Sequence, residues 1–79
     1  MIVKKLFKDQ LRAERKKQNM TVQALADLCG ISRSYITLME SGTRMPGKNN
    51  IPKIAKALKL KTVTVLNWYL EDIRIKMSE

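Results

Sequence analysis

The sequence contains no histidine and only one cysteine, Cys29. A lone cysteine cannot form an internal disulfide, and without histidine the chain offers no plausible set of zinc ligands. The chain also lacks a glycine-rich phosphate loop and paired carboxylates at a plausible pocket, so an enzyme is the least favoured class. We therefore expect no catalytic residues, no metal site and no cofactor.

Long apolar runs are also missing. No segment approaches the roughly 20 apolar residues of a membrane span, and the first residues, MIVKKLFKDQLRAERKK, lack the apolar core and cleavage site of a signal peptide. A basic membrane-surface helix over residues 2–18 is a weaker alternative, because DQLRAE interrupts its basic face. We expect a cytoplasmic protein without a membrane partner.

Acidic residues are scarce, since 7 Asp and Glu stand against 16 Lys and Arg and give a net charge of +9. Such an excess attracts polyanions, of which nucleic acid is the commonest in a cytoplasm. The 79 residues contain no repeat and no long linker, so we interpret residues 1–79 as a single domain. A core this small favours support from a partner subunit.

Apolar residues at helical spacing predict successive helices. Only TVTV favours a strand locally, and the sequence offers no second strand to pair with it, so the predicted class is all-α. Val3, Leu6, Phe7 and Leu11 form the apolar face of a first helix that is predicted to end near Asn19. The apolar faces of the next three helices are Val22, Leu25, Ala26 and Cys29, then Tyr35, Ile36 and Met39, then Ile51, Ile54, Ala55 and Leu58.

Local capping chemistry predicts where the short helices begin and end. A threonine or serine before a helix offers its side-chain oxygen to the first-turn amides, and a glycine after a helix accepts a left-handed backbone. Gly30 and Gly42 are placed to end the second and third helices. The predicted caps are Thr21 for the second helix, Ser32 for the third, and Thr62 or Thr64 for the fifth.

The seam between the second and third helices is short, and Ala26, Gly30 and Ile36 surround it. Two helices joined by about three residues must cross steeply, so the turn residue must tolerate a left-handed backbone and the residue at closest approach must be small. Gly30 and Ala26 meet these needs, and Ile36 faces inwards. The pattern predicts a third helix held as a rigid rod away from the body of the domain.

Through LRAERKKQNMTVQALADLCGISRSYITLMESGTRMP and IPKIAKALKL, within residues 7–66, the chain resembles the helix-turn-helix domains of phage Cro proteins and lambdoid repressors, the xenobiotic-response-element (XRE) type. The resemblance implies a compact five-helix bundle in which the second and third helices form the helix-turn-helix, with the third helix in the major groove of DNA. By motif position, the residues implied to read bases are Ser32, Arg33, Ser34, Thr37 and Leu38.

The chemistry of three of these side chains suits base reading. Arg33 can pair with O6 and N7 of a guanine, a contact worth about 1–3 kcal/mol of discrimination. Leu38 on an otherwise solvated face gains an apolar partner beside a thymine methyl, and so does the methyl group of Thr37. The alternative is that Arg33 and Ser34 are ordinary surface residues and Leu38 packs at a rim.

Phosphate contacts are expected from backbone amides and side chains that flank the third helix. The residues concerned are Thr21, Gln23, Tyr35, Thr43, Arg44 and Lys48. For each basic residue alone, a solvated surface position is an equally good interpretation. The family often has glutamine at the first position of the second helix, and this sequence departs from that pattern with Val22.

The resemblance also implies a structural salt bridge between Arg15, late in the first helix, and Glu40, at the end of the third. Such a pair would tie the reading helix to the bundle, and partial burial would make loss of one partner costly.

The fifth helix continues beyond the family pattern, as an extended C-terminal helix over residues 63–77. Val63, Leu66, Leu70, Ile73 and Met77 follow a 3-4-3-4 spacing. We hypothesise that this helix forms a dimer interface. The alternative is that it folds back over its own core. A symmetric homodimer would read a palindromic operator with half-sites one DNA turn apart. The hypothesised dimer contacts are Trp68, Leu70, Ile73 and Met77.

These features predict a sequence-specific, double-stranded-DNA-binding transcriptional regulator, a repressor of phage or mobile-element type. The alternative is a protein-binding module on the same fold, such as an antitoxin that neutralises a toxin and also binds its own operator. An exposed apolar patch away from the third helix would favour that alternative. Under the first interpretation, control comes through protein concentration, dimerisation or a regulatory partner protein.

Overall fold

Residues 5–78, which a computed structural model describes, contain five α-helices and no strand. The all-α class is therefore confirmed. Val3, assigned to the first helix from the sequence, lies outside the described residues. Within residues 5–78, every helix is too short or too polar to cross a membrane. In chain order the helices are α1 (Phe7–Lys17), α2 (Val22–Cys29), α3 (Arg33–Ser41), α4 (Asn50–Ala57) and α5 (Thr62–Met77).

The caps of α2 and α3 are those predicted from the sequence. Thr21 Oγ1 accepts a hydrogen bond from the amide of Ala24 at 3.0 Å, and Ser32 Oγ accepts one from the amide of Tyr35 at 3.1 Å. Each bond satisfies an amide that the first turn of a helix leaves unpaired. Two helices that are too short to be stable alone therefore begin at defined residues.

Gly30 forms the turn between α2 and α3 with a left-handed backbone, at φ 68° and ψ 30°. The amides of Gly30 and Ile31 both donate to the carbonyl of Ala26, which closes the end of α2. A Cβ atom added at Gly30 would meet nothing within 4 Å, so glycine is needed for the backbone conformation and not for a close approach. The short turn predicted between the second and third helices is present, with Ala26 and Ile36 buried beside it.

Helix α1 is shorter at both ends than the apolar spacing predicts. Leu6 is its N-cap in an extended conformation, so the helix begins one residue later than this leucine. The helix ends at Lys17 because Asn19 adopts a left-handed φ of 58°. The side-chain amide of Gln18 donates through Nε2 to the backbone carbonyl of Leu58 at 2.7 Å and joins this end of α1 to the end of α4.

The start of α5 contradicts the predicted cap. Lys61 occupies the N-cap position in an extended conformation, and no side chain caps the helix. Thr62 and Thr64 already lie inside the first turn, where the amide of Thr64 donates to the carbonyl of Lys61 at 3.0 Å. A backbone bond thus does what the threonine hydroxyl was expected to do.

One hydrophobic core joins the five helices of residues 5–78. Helix α1 packs against α3 and α5, α2 against α3 and α4, and α4 against α5. Val22, predicted on the buried side of the second helix, is only half-buried because it lies at the first turn, beside Arg15 and Thr37. The completely buried large apolar side chains are Phe7, Leu11, Leu25, Ile36, Met39, Ile54, Leu58 and Val65.

Trp68, hypothesised as a dimer contact, is half-buried and packs against this core. Its ring meets the ring of Phe7 edge-on, with centroids 6.2 Å apart and planes at 65°. Residues two positions apart on a helix point about 200° apart, so Trp68 and Leu70 cannot share one face. The face of α5 that carries Trp68 also carries the buried Val65 and Ile75, and Leu70 points to solvent.

The first turn of α1 is capped from α5. The buried amide of Phe7 donates to Oδ2 of Asp72 at 2.7 Å, across 65 positions of sequence. The ammonium of Lys76 lies 2.8 Å from Oδ1 of the same carboxylate, paired by charge although not aligned for a hydrogen bond. This contact fixes the C-terminal half of α5 against α1, and sequence reasoning missed it.

Candidate nucleic-acid interface

The residues assigned to base reading lie together on the exposed side of α3 and at its N-cap. Ile36 and Met39, on the other side of the helix, are completely buried. Four of the reading residues also line one shallow depression. We call the set the reading surface, and its members are Ser32, Arg33, Ser34, Thr37 and Leu38.

The reading surface offers both polar and apolar contacts. Arg33 lies in the first turn of α3, where its guanidinium extends into solvent. Ser32 uses its oxygen as the helix cap but keeps its hydroxyl proton for an outside acceptor. Leu38 is 37% exposed, so part of an apolar side chain remains available on this face.

Arg15 and Glu40 hold α3 against α1, in the pairing that the resemblance implies. Nε of Arg15 donates to Oε2 of Glu40 at 2.7 Å, and Nη2 donates to Oε1 at 3.0 Å. Nη1 donates to the carbonyl of Met20 at 2.7 Å. One guanidinium therefore fixes the last turn of α3 to α1 and to the turn before α2.

The Arg15–Glu40 pair is shielded from solvent, with side-chain exposures of 11% and 9%. The hydrogen bond to Glu40 raises the pKa of Arg15 above its ordinary value; burial lowers it by less, and the charge of Glu40 adds to the rise. Because the pKa of Arg15 is raised, the stability that its ion pair with Glu40 contributes is lost only as pH rises through a value far above neutrality. The guanidinium therefore stays charged throughout the accessible pH range.

The loop after α3 is attached to the end of the helix. The amides of Thr43 and Arg44 both donate to the carbonyl of Leu38, at 3.0 and 3.2 Å. Ser41 Oγ donates to the same carbonyl at 2.9 Å and also lies 2.9 Å from Oγ1 of Thr43. These hydrogen bonds hold Thr43 and Arg44 in a defined position beside the reading surface, where both residues are exposed.

Tyr35, expected to contact phosphate, has its hydroxyl hydrogen-bonded within the protein. Its hydroxyl donates to the carbonyl of Met45 at 3.0 Å and accepts a hydrogen bond from the amide of Gly47 at 3.3 Å. A hydroxyl has one proton, and that of Tyr35 is donated to the loop. Tyr35 instead supports the loop, and the guanidinium of Arg44 lies 5.7 Å from the centre of its ring.

The other residues assigned to phosphate are exposed. Thr21 keeps its hydroxyl proton for an outside acceptor while its oxygen caps α2. The amide group of Gln23 donates to Oδ1 of Asp27 at 2.9 Å, which leaves it one further proton. Lys48 lies in the loop between α3 and α4 with its side chain exposed.

Sequence reasoning missed two basic side chains of α1 that adjoin this face. Arg12 lines a depression together with Thr37 and Ser41. Lys8 lies against Gly42, where an added Cβ would come within 2.9 Å of its Cδ. Both positions follow from helical spacing. Arg12 lies three positions before Arg15 and Lys8 lies four positions before Arg12, so all three share the face of α1 that meets α3.

Cys29 is part of the core. Its side chain is 5% exposed, and burial raises the pKa of its thiol to about 11. The thiol is therefore protonated at neutral pH and acts as a small apolar group.

Comparison with known proteins agrees with this geometry. The family model for helix-turn-helix proteins matches residues 11–65. Control protein C.BamHI of Bacillus amyloliquefaciens is 37% identical over 67 residues, 84% of this chain and 83% of that protein. The crystal structure of the restriction-modification controller protein C.AhdI from Aeromonas hydrophila has a TM-score of 0.71 at 34% identity, over 75% of this chain and 89% of that one.

A repressor crystallised with operator DNA has a similar fold. The crystal structure of the P22 c2 repressor with synthetic operator 9T has a TM-score of 0.73 at 28% identity, over 81% of this chain and 97% of that one. The chain spans only 33% and 41% of two further curated relatives, both transcriptional regulators. The family match over residues 11–65 and the identity with C.BamHI place this chain in the XRE-type helix-turn-helix family.

Proposed function

We propose that residues 1–79 form a single domain that binds double-stranded DNA sequence-specifically and represses transcription in the cytoplasm. The observation that carries the proposal is that the reading surface is exposed on a helix whose other side is buried. The likeness to the P22 c2 repressor in complex with a synthetic operator supports double-stranded DNA as the ligand of this fold. Control protein C.BamHI supports a regulatory role.

Basic side chains around α3 suit the DNA backbone. Arg44 and Lys48 lie in the loop after the helix, and Lys8 and Arg12 lie beside its C-terminal half. Contacts to phosphate position a protein on the duplex, and contacts to base edges give specificity. In this proposal these cations set the register of α3, and Arg33, Thr37 and Leu38 read the bases.

The test is binding-site selection with the full chain, followed by titration of Arg33→Ala against the selected operator. We expect Arg33→Ala to weaken operator binding by about tenfold to a hundredfold, because a bidentate contact to guanine is lost. The loss of specificity should be confined to one base pair per half-site. A change of that base pair in the operator should no longer alter the affinity of the variant.

The contrasting variant is Arg44→Ala, in the loop after α3. Loss of a phosphate contact should weaken binding to all sequences alike and reduce the salt dependence of log K by about one. If Arg33→Ala behaved in the same way, with uniform loss over all sequences, Arg33 would contact phosphate and the assignment of bases to α3 would be wrong. Selection of no sequence at all would overturn the proposed function.

We further propose that α5 forms the interface of a symmetric homodimer. The supporting observation is an exposed apolar strip on the side of α5 that faces away from Val65 and Asp72. Ile73 is half-buried and the other members of the strip are exposed. A two-fold dimer would present two copies of α3 to half-sites about 34 Å apart. We call this set the α5 strip, and its members are Val63, Leu66, Leu70, Ile73 and Met77.

Leu70→Glu tests the dimer, because it places a charge in the middle of the α5 strip. We expect dimer dissociation to become at least tenfold easier, since a charge buried without a partner opposes association. Operator affinity should fall as well, because two half-sites would then be bound independently. Analytical ultracentrifugation with and without operator measures both effects.

The matched control is Leu28→Glu, an exposed leucine of α2 outside the α5 strip. It should leave the dimer intact. A wild-type chain that remains a monomer on its operator would remove the dimer from the proposal without affecting base reading by α3.

A further inference from the structure

A groove lies between the C-terminal end of α2 and α4, separate from the reading surface. Ala57 and Cys29 form its buried floor, and Leu28 stands at its edge with 61% of the side chain exposed. Leu28 points away from the core because Leu25 and Cys29 occupy the buried face of α2. We call this feature the basic groove; no residue of α3 or of the loop 43–48 lines it.

Three lysines give the basic groove its charge. Lys53, Lys56 and Lys59 follow one another at intervals of three, so they lie along one side of α4 and its C-terminal end. All three are exposed, and among residues 5–78 none of them is paired with a carboxylate. The groove therefore offers a line of free cations beside an exposed leucine.

This combination of side chains favours one class of partner. A DNA backbone would satisfy the lysines but would offer no apolar partner to Leu28. A protein segment that carries acidic and apolar side chains on one face would satisfy both, because burial of Leu28 and ion pairing with the lysines occur in the same contact. The charges of the groove and of such a segment are complementary.

We propose that the basic groove is a docking site for an acidic amphipathic segment of a partner protein. Apolar side chains of the segment cover Leu28 and Ala57, and its carboxylates pair with Lys53, Lys56 and Lys59. Because the groove shares no residue with the reading surface, the partner and DNA bind at separate places on the chain. A regulator of this kind can receive a protein signal while it remains on its operator.

The experiment is an amide NMR titration of the isotopically labelled full chain with synthetic peptides, without DNA. The probe peptide has leucine at helical spacing and glutamate elsewhere; a second peptide has serine in place of leucine, and a third has lysine in place of glutamate. We expect the first peptide to shift the amides of Leu28, Gly30 and Lys56. The second should bind about tenfold more weakly, and the third should not bind.

Two variants separate docking from attraction to the net charge. Lys53→Glu/Lys56→Glu should weaken binding of the probe peptide by at least about tenfold. Lys16→Glu/Lys17→Glu makes the same change in net charge on exposed residues of α1 and should have little effect on that binding. Leu28→Ser should also weaken it. Equal loss in the two double variants, or equal binding of the serine peptide, would overturn the proposal. Shifts of Lys53 and Lys56 amides by operator DNA, without peptide binding, would assign the lysines to phosphate and overturn it too.

Discussion

Arg15→Ala is expected to lower the free energy of unfolding by about 3 kcal/mol, because it removes one partner of a shielded ion pair and leaves the other without compensation. Glu40 would stand without its cationic partner in a site where its side chain is 9% exposed. The carbonyl of Met20 would lose its hydrogen bond as well. Both losses act on the attachment of α3, so operator binding should weaken together with stability.

Chemical denaturation of the full chain measures this effect, and Arg12→Ala is the matched control. Arg12 lies one turn earlier on α1 and is exposed, so its removal should change the free energy of unfolding very little. Glu40→Gln should have an intermediate effect, because the amide oxygen can still accept from Arg15. If Arg15→Ala and Arg12→Ala had equal effects, the pair would not stabilise α3.

The features that could be predicted from the sequence are those that depend on neighbours along the chain. Thr21 and Ser32 cap amides three positions later, and Gly30 and Gly42 end helices through their own backbone conformation. Such contacts join residues close together in the sequence, so local sequence is enough to predict them. The start of α5 was missed because Lys61 and Thr62 are both acceptable at a cap when a backbone bond closes the turn.

Contacts between distant residues could not be derived from spacing. Whether Trp68 faces solvent or the core depends on where Phe7 lies, and α5 is apolar on both sides. The role of Tyr35 depends on the path of the loop that brings the carbonyl of Met45 to its hydroxyl. The pairing of Arg15 with Glu40 came from the family resemblance, since periodicity places each residue on its helix but does not join them.

The reading surface required both kinds of information. Helical spacing separates Ile36 and Met39 from the polar side of α3, and burial follows that separation. The resemblance supplied the orientation of this side towards DNA. Arg12 and Lys8 escaped both arguments because they belong to α1, although their spacing from Arg15 places them on the face that meets α3.

Asp72→Ala is expected to lower the free energy of unfolding by about 3 kcal/mol, because it leaves the buried amide of Phe7 without an acceptor and removes a charge-assisted hydrogen bond. The loss should be felt where α5 meets α1. Trp68 is the only tryptophan and packs against Phe7, so its fluorescence reports detachment of α5 as a shift of emission to longer wavelength.

The control for Asp72→Ala is Glu71→Ala, its neighbour on α5. Glu71 pairs with Arg74 at 2.8 Å on the surface, with side-chain exposures of 42% and 74%, so its loss should change stability and Trp68 emission very little. The free energy of unfolding of Asp72→Asn should lie between those of the two alanine variants. Its amide oxygen can still accept from the amide of Phe7, but the attraction to Lys76 is lost. Equal stability of Asp72→Ala and Glu71→Ala would show that the first turn of α1 does not depend on α5. If Asp72→Ala also weakens the dimer, the contact with Phe7 sets the position of the α5 strip as well as the stability of the fold.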